Sequence, residues 1–99
     1  MAIVEISIVP IGVSHTSLSE YVAGAVNILK ESGLKFDLTS MGTIVEGDLD
    51  RILAVAREMH ETPFKKGIKR VATTIKIDDR RDKPATSDGK VESVIKKLY

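Results

Sequence analysis

The apolar residues of this chain change their spacing in a fixed order, and that order limits the folds open to it. Residues 2–10 are β-branched and apolar, and Pro10 and Gly12 end the run, which predicts a strand. Leu18, Val22, Ala25, Val26 and Leu29 then recur at helical spacing. Ser17-Leu-Ser-Glu20 forms a capping box, in which the Ser17 hydroxyl and the Glu20 carboxylate satisfy free amides at the helix start. Gly33 stands where a left-handed residue closes a helix, so the helix covers 18–32.

Alternation returns at Leu34, Phe36 and Leu38, interleaved with Lys35, Asp37 and Thr39, and predicts a half-exposed strand over 34–40. Met41-Gly42 makes a tight turn into a short strand, 43–47. Asp48 is the expected N-cap of a second helix. Its buried stripe is Leu49, Ile52, Leu53, Ala56, Met59 and His60, and Pro63 is its expected end. Residues 68–78 read as a last strand with Val71, Thr73, Ile75 and Ile77 on one face. Asp78–Ser87 reads as a mobile surface loop. Val91, Val94, Ile95 and Leu98 give a short final helix, with Lys96 and Lys97 in the turn that suits the helix dipole.

The order β-α-β-β-α-β is that of the split βαβ, or ferredoxin-like, α+β fold. It predicts one domain over 1–99, a four-stranded antiparallel sheet with two helices on one face, and an added C-terminal helix. The first strand is apolar on both faces, with Val4, Ile6 and Ile8 on one and Ile3 and Val9 on the other. A strand of that kind is usually covered on both sides, and the simplest second cover is another copy of the chain in a closed, two-fold assembly.

Charge and composition exclude several classes. Fifteen Lys and Arg against fourteen Asp and Glu leave a net charge of +1. That is too balanced for a nucleic-acid binder, which draws affinity from a basic face. The absence of cysteine removes disulfides, thiolate metal sites and cysteine nucleophiles, and fits a cytoplasmic protein. Glu5 interrupts the apolar start and no basic segment precedes it, so a strand is expected there and not a signal peptide. No apolar run approaches the roughly 20 residues of a membrane span.

Other occupants of this fold are also excluded. An acylphosphatase needs an arginine after the first strand, and the first arginine here is Arg51. A base-stacking RNA sheet needs aromatics in its central strands. Tyr21, Phe36, Phe64 and Tyr99 lie elsewhere. A metallochaperone needs a cysteine pair. His15 and His60 alone make no persuasive metal site, and the adjacent Ser14 and His15 do not form a nucleophile-base pair. No catalytic residue, metal or cofactor is expected.

Five stretches carry a family likeness: Ile8-Val-Pro-Ile-Gly12, Ser17-Leu-Ser-Glu-Tyr-Val22, Met41-Gly-Thr-Ile-Val-Glu-Gly-Asp48, Gly67-Ile-Lys-Arg-Val71, and Ile75-Lys-Ile-Asp-Asp-Arg-Arg-Asp-Lys83. In them the chain resembles the small thiamine-binding-protein family, once an uncharacterised protein family and related to the YkoF-like proteins. The resemblance implies a ferredoxin-like subunit, assembly into homodimers and homotetramers as a dimer of dimers, and binding of thiamine or its hydroxymethylpyrimidine part.

Several residues are candidates for that binding. Glu46 lies among apolar neighbours in a short strand, where a carboxylate is costly unless paired. It can accept from an aminopyrimidine, or it can pair with a Lys or Arg across the sheet or an interface; parity alone does not say which face it occupies. The topology also places the end of the first strand beside the 40–43 turn. Ser14, His15, Thr16, Ser40 and Thr43 then form a polar rim, with Met41 at its tip. The same residue types serve ordinary turns and caps. Finally, Lys76 and Asp78–Lys83 alternate in sign, and Arg70 and Lys76 lie opposite Val71 and Ile75. Arg70, Lys76, Arg80 and Arg81 are therefore candidates for an intersubunit network or an anion site, against the alternative of solvated, self-compensating pairs.

Two functions follow. One is a non-enzymatic carrier or sensor that binds thiamine or a related pyrimidine within one subunit. The other is a regulatory interaction module with a small ligand, an anion among the options, at a subunit interface. Neither involves nucleic acid or membrane.

Overall fold

The computed structural model describes residues 1–13 and 18–98. Its elements follow the expected order: β1 (Ala2–Ile11), α1 (Ser19–Ser32), β2 (Lys35–Leu38), β3 (Thr43–Gly47), α2 (Leu49–Lys65), β4 (Arg70–Asp79) and α3 (Ser87–Leu98). The strands form one antiparallel sheet in the order β2-β3-β1-β4. Among the described residues, no helix is long and apolar enough to cross a membrane.

The registers fix the two faces of the sheet. Val4 pairs with Val45 and Ile77, and Ile6 with Thr43 and Ile75. These residues face the helices, where Val4, Ile6 and Val45 form the core with Leu29, Ile52 and Met59. Ile3, Glu5, Ile44 and Glu46 point to the other face. There Ile3 and Ile44 are half-buried and Val9 and Ile11 are exposed, so the doubly apolar strand leaves its second face partly uncovered in the single chain.

Local chemistry explains the element ends. Gly33 takes the left-handed conformation, φ 77°, that closes α1. The Ser32 hydroxyl donates to the Leu29 carbonyl at 2.6 Å and accepts from the Leu34 amide at 3.1 Å. Asp48 caps α2, with its carboxylate accepting from the Arg51 amide at 3.1 Å. The proposed capping residue Ser17 lies outside the described residues, and Leu18 occupies the N-cap position of α1 without a side-chain capping bond.

Two expected boundaries move. Pro10 does not end β1; it is buried inside the strand, which continues to Ile11. Pro63 does not end α2, which runs on to Lys65. A proline removes the amide that would bond to the carbonyl four residues back, here that of Met59. The neighbouring Thr62 hydroxyl donates to that carbonyl at 2.7 Å, so the helix loses no partner and Pro63 packs as a core residue.

No residue of α3 is buried. Val91, Val94, Ile95 and Leu98 are all exposed, although they share a helical stripe. The radius of gyration, 14.9 Å, exceeds the roughly 13 Å of a compact chain of this length, as a helix standing off the body requires.

Candidate binding cleft and the Glu46 cluster

The turn between β2 and β3 is organised by Thr39. Its hydroxyl donates to the Gly42 carbonyl at 2.7 Å and accepts from the amides of Gly42 and Met41 at 3.2 and 3.3 Å. Its own amide closes on the Gly42 carbonyl at 2.9 Å. Gly42 fits tightly here, since a Cβ on it would meet the Ile6 carbonyl at 3.1 Å.

This fixed turn forms one wall of a cleft of about 370 Å³. The opposite wall is α1, through Leu18, Val22, Ala25 and Val26, and β1 and Met59 also contribute. Ser40, Met41 and Thr43 line the turn side. The volume falls in the range of small-ligand sites, roughly 300–1,000 Å³. Among the described residues the lining carries no charged side chain. Thr43 is only 4% exposed, and its hydroxyl has no hydrogen-bond partner among the described residues.

Glu46 stands elsewhere. It follows Val45, which points into the core, so its own side chain lies on the open face of the sheet. It is 7% exposed. Its Oε2 lies 3.1 Å from the Nζ of Lys35, its neighbour across β2 and β3, and its Oε1 accepts from the Ser87 amide at the start of α3. Lys35 also reaches Asp88 at 3.5 Å, and Lys90 bonds to Asp78. Five charged side chains and one amide thus tie the beginning of α3 to the sheet. Hydrogen bonding to Glu46, and the charges of Glu46 and Asp88, hold the Lys35 ammonium above its ordinary pKa.

The structure therefore brings Thr43, Ser40 and Met41 together and leaves Glu46 on the opposite side of the sheet. Ser14, like His15 and Thr16, lies outside the described residues. The basic candidates do not converge either. Arg70 begins β4, whereas Arg80 and Arg81 follow its far end. Arg80 is held by Asp82 at 2.6 and 3.0 Å, and Arg81 by Asp79 at 2.8 and 3.1 Å. Lys76 lies across from Glu5 on the open face. His60 packs edge-on to Phe64, and its Nδ1 is 2.6 Å from the Thr73 hydroxyl. The α1 wall and Thr39 were missed as site residues because their helical stripe and turn chemistry read as core and loop.

Comparison with known proteins gives this geometry a context. The profile of the thiamine-binding protein family matches residues 4–95. The chain belongs to that family. A UPF0045 protein of Bacillus subtilis (strain 168), YqgV, is 49% identical over 102 residues, covering 99% of this chain and 98% of its own. A UPF0045 protein of Methanothermobacter thermautotrophicus is 42% identical over 99 residues, covering 99% and 100%. These family names specify no enzyme class. The crystal structure of MJ1052 from Methanocaldococcus jannaschii superposes with a TM-score of 0.86 at 39% identity, over 94% of both chains. A Thermotoga maritima protein whose proposed role is thiamine biosynthesis or salvage gives 0.77 at 25% identity, over 94% of this chain and 97% of its own.

Proposed function

We propose that the chain binds the hydroxymethylpyrimidine part of thiamine, free or within thiamine, in the cleft between α1 and the 39–43 turn. It acts as a non-enzymatic carrier or sensor in the cytoplasm. The Thr43 hydroxyl, without a partner among the described residues and lying in an apolar cleft on a residue only 4% exposed, carries this reading. A flat aminopyrimidine suits walls of Val22, Val26 and Met41, and its ring nitrogen or amine suits the hydroxyls of Thr43 and Ser40. The lining, uncharged among the described residues, favours the neutral pyrimidine inside and leaves the cationic thiazolium toward solvent, where its charge stays hydrated. The family description and the role proposed for the Thermotoga maritima neighbour support thiamine-related chemistry.

The working form in this proposal is a homo-oligomer. The exposed stripe of α3 and the half-covered open face of the sheet are apolar surfaces that a second copy would bury.

A second reading puts the pyrimidine on Glu46. It is favoured by that residue's partners, an exposed lysine and the amide of a helix with no buried residue, which a ligand could displace. Calorimetric titration of two variants separates the readings. In the cleft reading Thr43→Val loses one hydrogen bond, on the order of 1 kcal/mol or about fivefold in Kd, and Glu46→Gln binds as the parent does. The reverse pattern assigns the ligand to Glu46.

A further inference from the structure

Strand β1 outruns its neighbour β3, and the difference opens main chain into the cleft. β1 continues to Ile11, but its pairing with β3 stops at Ile6, opposite Thr43. The residues before Thr43 bend into the Thr39 turn and supply no further rung. In an antiparallel strand the amide and carbonyl of one residue point to the same side, and those of the next residue to the other. Two observations give that direction in β1. A Cβ on Gly42 would meet the Ile6 carbonyl at 3.1 Å, so Ile6 turns its main chain toward β3 and the turn. Pro10 lies inside the strand in register with Val71 of β4. A proline fits there when its nitrogen faces away from that ladder, which is again the β3 side. Ile8 lies between them and shares their parity. Its amide and carbonyl therefore face the edge that β3 leaves open, with no hydrogen-bond partner among the described residues. Ile8 lines the cleft, and its side chain packs against the core, which holds this main chain in place.

Resting on the cleft reading and deepening it, we infer that the main chain of Ile8 is the specificity element of the site and selects a ring with an amine beside a ring nitrogen. The Ile8 amide donates to the ring nitrogen, and the amine donates to the Ile8 carbonyl. The ring thereby takes the place of the missing rung between β1 and β3. Lying in the plane of the sheet, it turns one face to Val22 and Val26 of α1. The second ring nitrogen and the hydroxymethyl group remain for the hydroxyls of Thr43 and Ser40. Those hydroxyls cannot set the choice of ring, because a hydroxyl rotates and either donates or accepts. A main-chain amide only donates, and a carbonyl only accepts. An oxo group in place of the amine sets an acceptor against the Ile8 carbonyl and a ring N–H against its amide. Both contacts are then lost, and two main-chain groups are left unpaired under the ligand.

Two measurements on the parent chain test this. The first is calorimetric titration with hydroxymethylpyrimidine and with its oxo analogue, in which a carbonyl replaces the amine. The oxo analogue should bind about a hundredfold more weakly, the loss of two hydrogen bonds to groups that stay unpaired. The second is amide hydrogen exchange followed by NMR. Saturation with hydroxymethylpyrimidine should slow exchange at Ile8 by roughly tenfold or more, against little change at Ser7 and Val9, whose amides point to β4. Hydroxymethylpyrimidine binding with an oxo analogue within roughly tenfold of it overturns the role of Ile8 and leaves the cleft reading standing. Discrimination without protection at Ile8 also overturns that role and moves the contact to Glu46, on the other face of the sheet. Hydroxymethylpyrimidine that does not bind at all overturns both the role of Ile8 and the cleft reading.

Discussion

Lys35 and Glu46 face each other across β2 and β3 on the open side of the sheet, with Nζ 3.1 Å from Oε2, and Glu46 in turn receives the first amide of α3. A nearly buried carboxylate thereby connects the sheet to a helix that has no other buried anchor. Removing the carboxylate should free the helix without unfolding the core. Glu46→Ala is expected to speed proteolytic cleavage between Arg80 and Ser87 while the far-ultraviolet spectrum of the body persists. Cleavage at the parent rate would show that α3 is held by something else.

Gly47 ends β3 with φ 151°, and a Cβ there would meet Leu34 Cδ2 at 3.0 Å. Gly47→Ala combines a strained backbone with a crowded core and should cost about 1–3 kcal/mol in urea denaturation. An unchanged midpoint would mean that the strand end relaxes freely.

Thr62 supplies the bond to the Met59 carbonyl that Pro63 cannot. Thr62→Val keeps the shape and removes the donor, and should cost about 1 kcal/mol by the same measurement. The effect should shrink in a Pro63→Ala background, where a main-chain amide takes over the carbonyl. Equal costs in both backgrounds would exclude this compensation.

The charged run after β4 predicts the acid response. The hydrogen bond from Arg81 to Asp79, and that from Arg80 to Asp82, hold both carboxyls below their ordinary 3.8. Groups with depressed pKa values stabilise the fold above their unfolded value, and that contribution is lost as pH falls through the folded one. These two pairs should therefore add nothing to pH dependence between 5 and 7, roughly, and should dissolve only below about 4. Carboxyl titration followed by NMR checks this; midpoints for Asp79 and Asp82 at or above ordinary values would contradict it.

Much of the architecture was legible because each element carries a local reason. Gly33 and Asp48 mark helix ends by their own chemistry, and the parity of Val4, Ile6 and Ile8 assigns a face. Pro63 misled because its missing amide is compensated by Thr62, a relation visible only once the helix exists. The site was less legible. Glu46 and Thr43 are three residues apart in one strand, and strand parity sends them to opposite faces. Val22 and Val26 fit a core stripe equally well, and only the placement of the Thr39 turn opens a cleft beside them. The charged run favoured an interface by its pattern, whereas in the single chain Arg80 and Arg81 are satisfied by neighbours two residues away.

The central claim is that the cleft beside Thr43 holds a pyrimidine. Isothermal titration of the parent protein with hydroxymethylpyrimidine, and separately with thiamine, tests it most directly. The account predicts saturable binding of both near one ligand per subunit, with similar affinity because the pyrimidine makes the buried contacts. Absence of heat with either ligand at two temperatures, at protein concentrations well above micromolar, would contradict it.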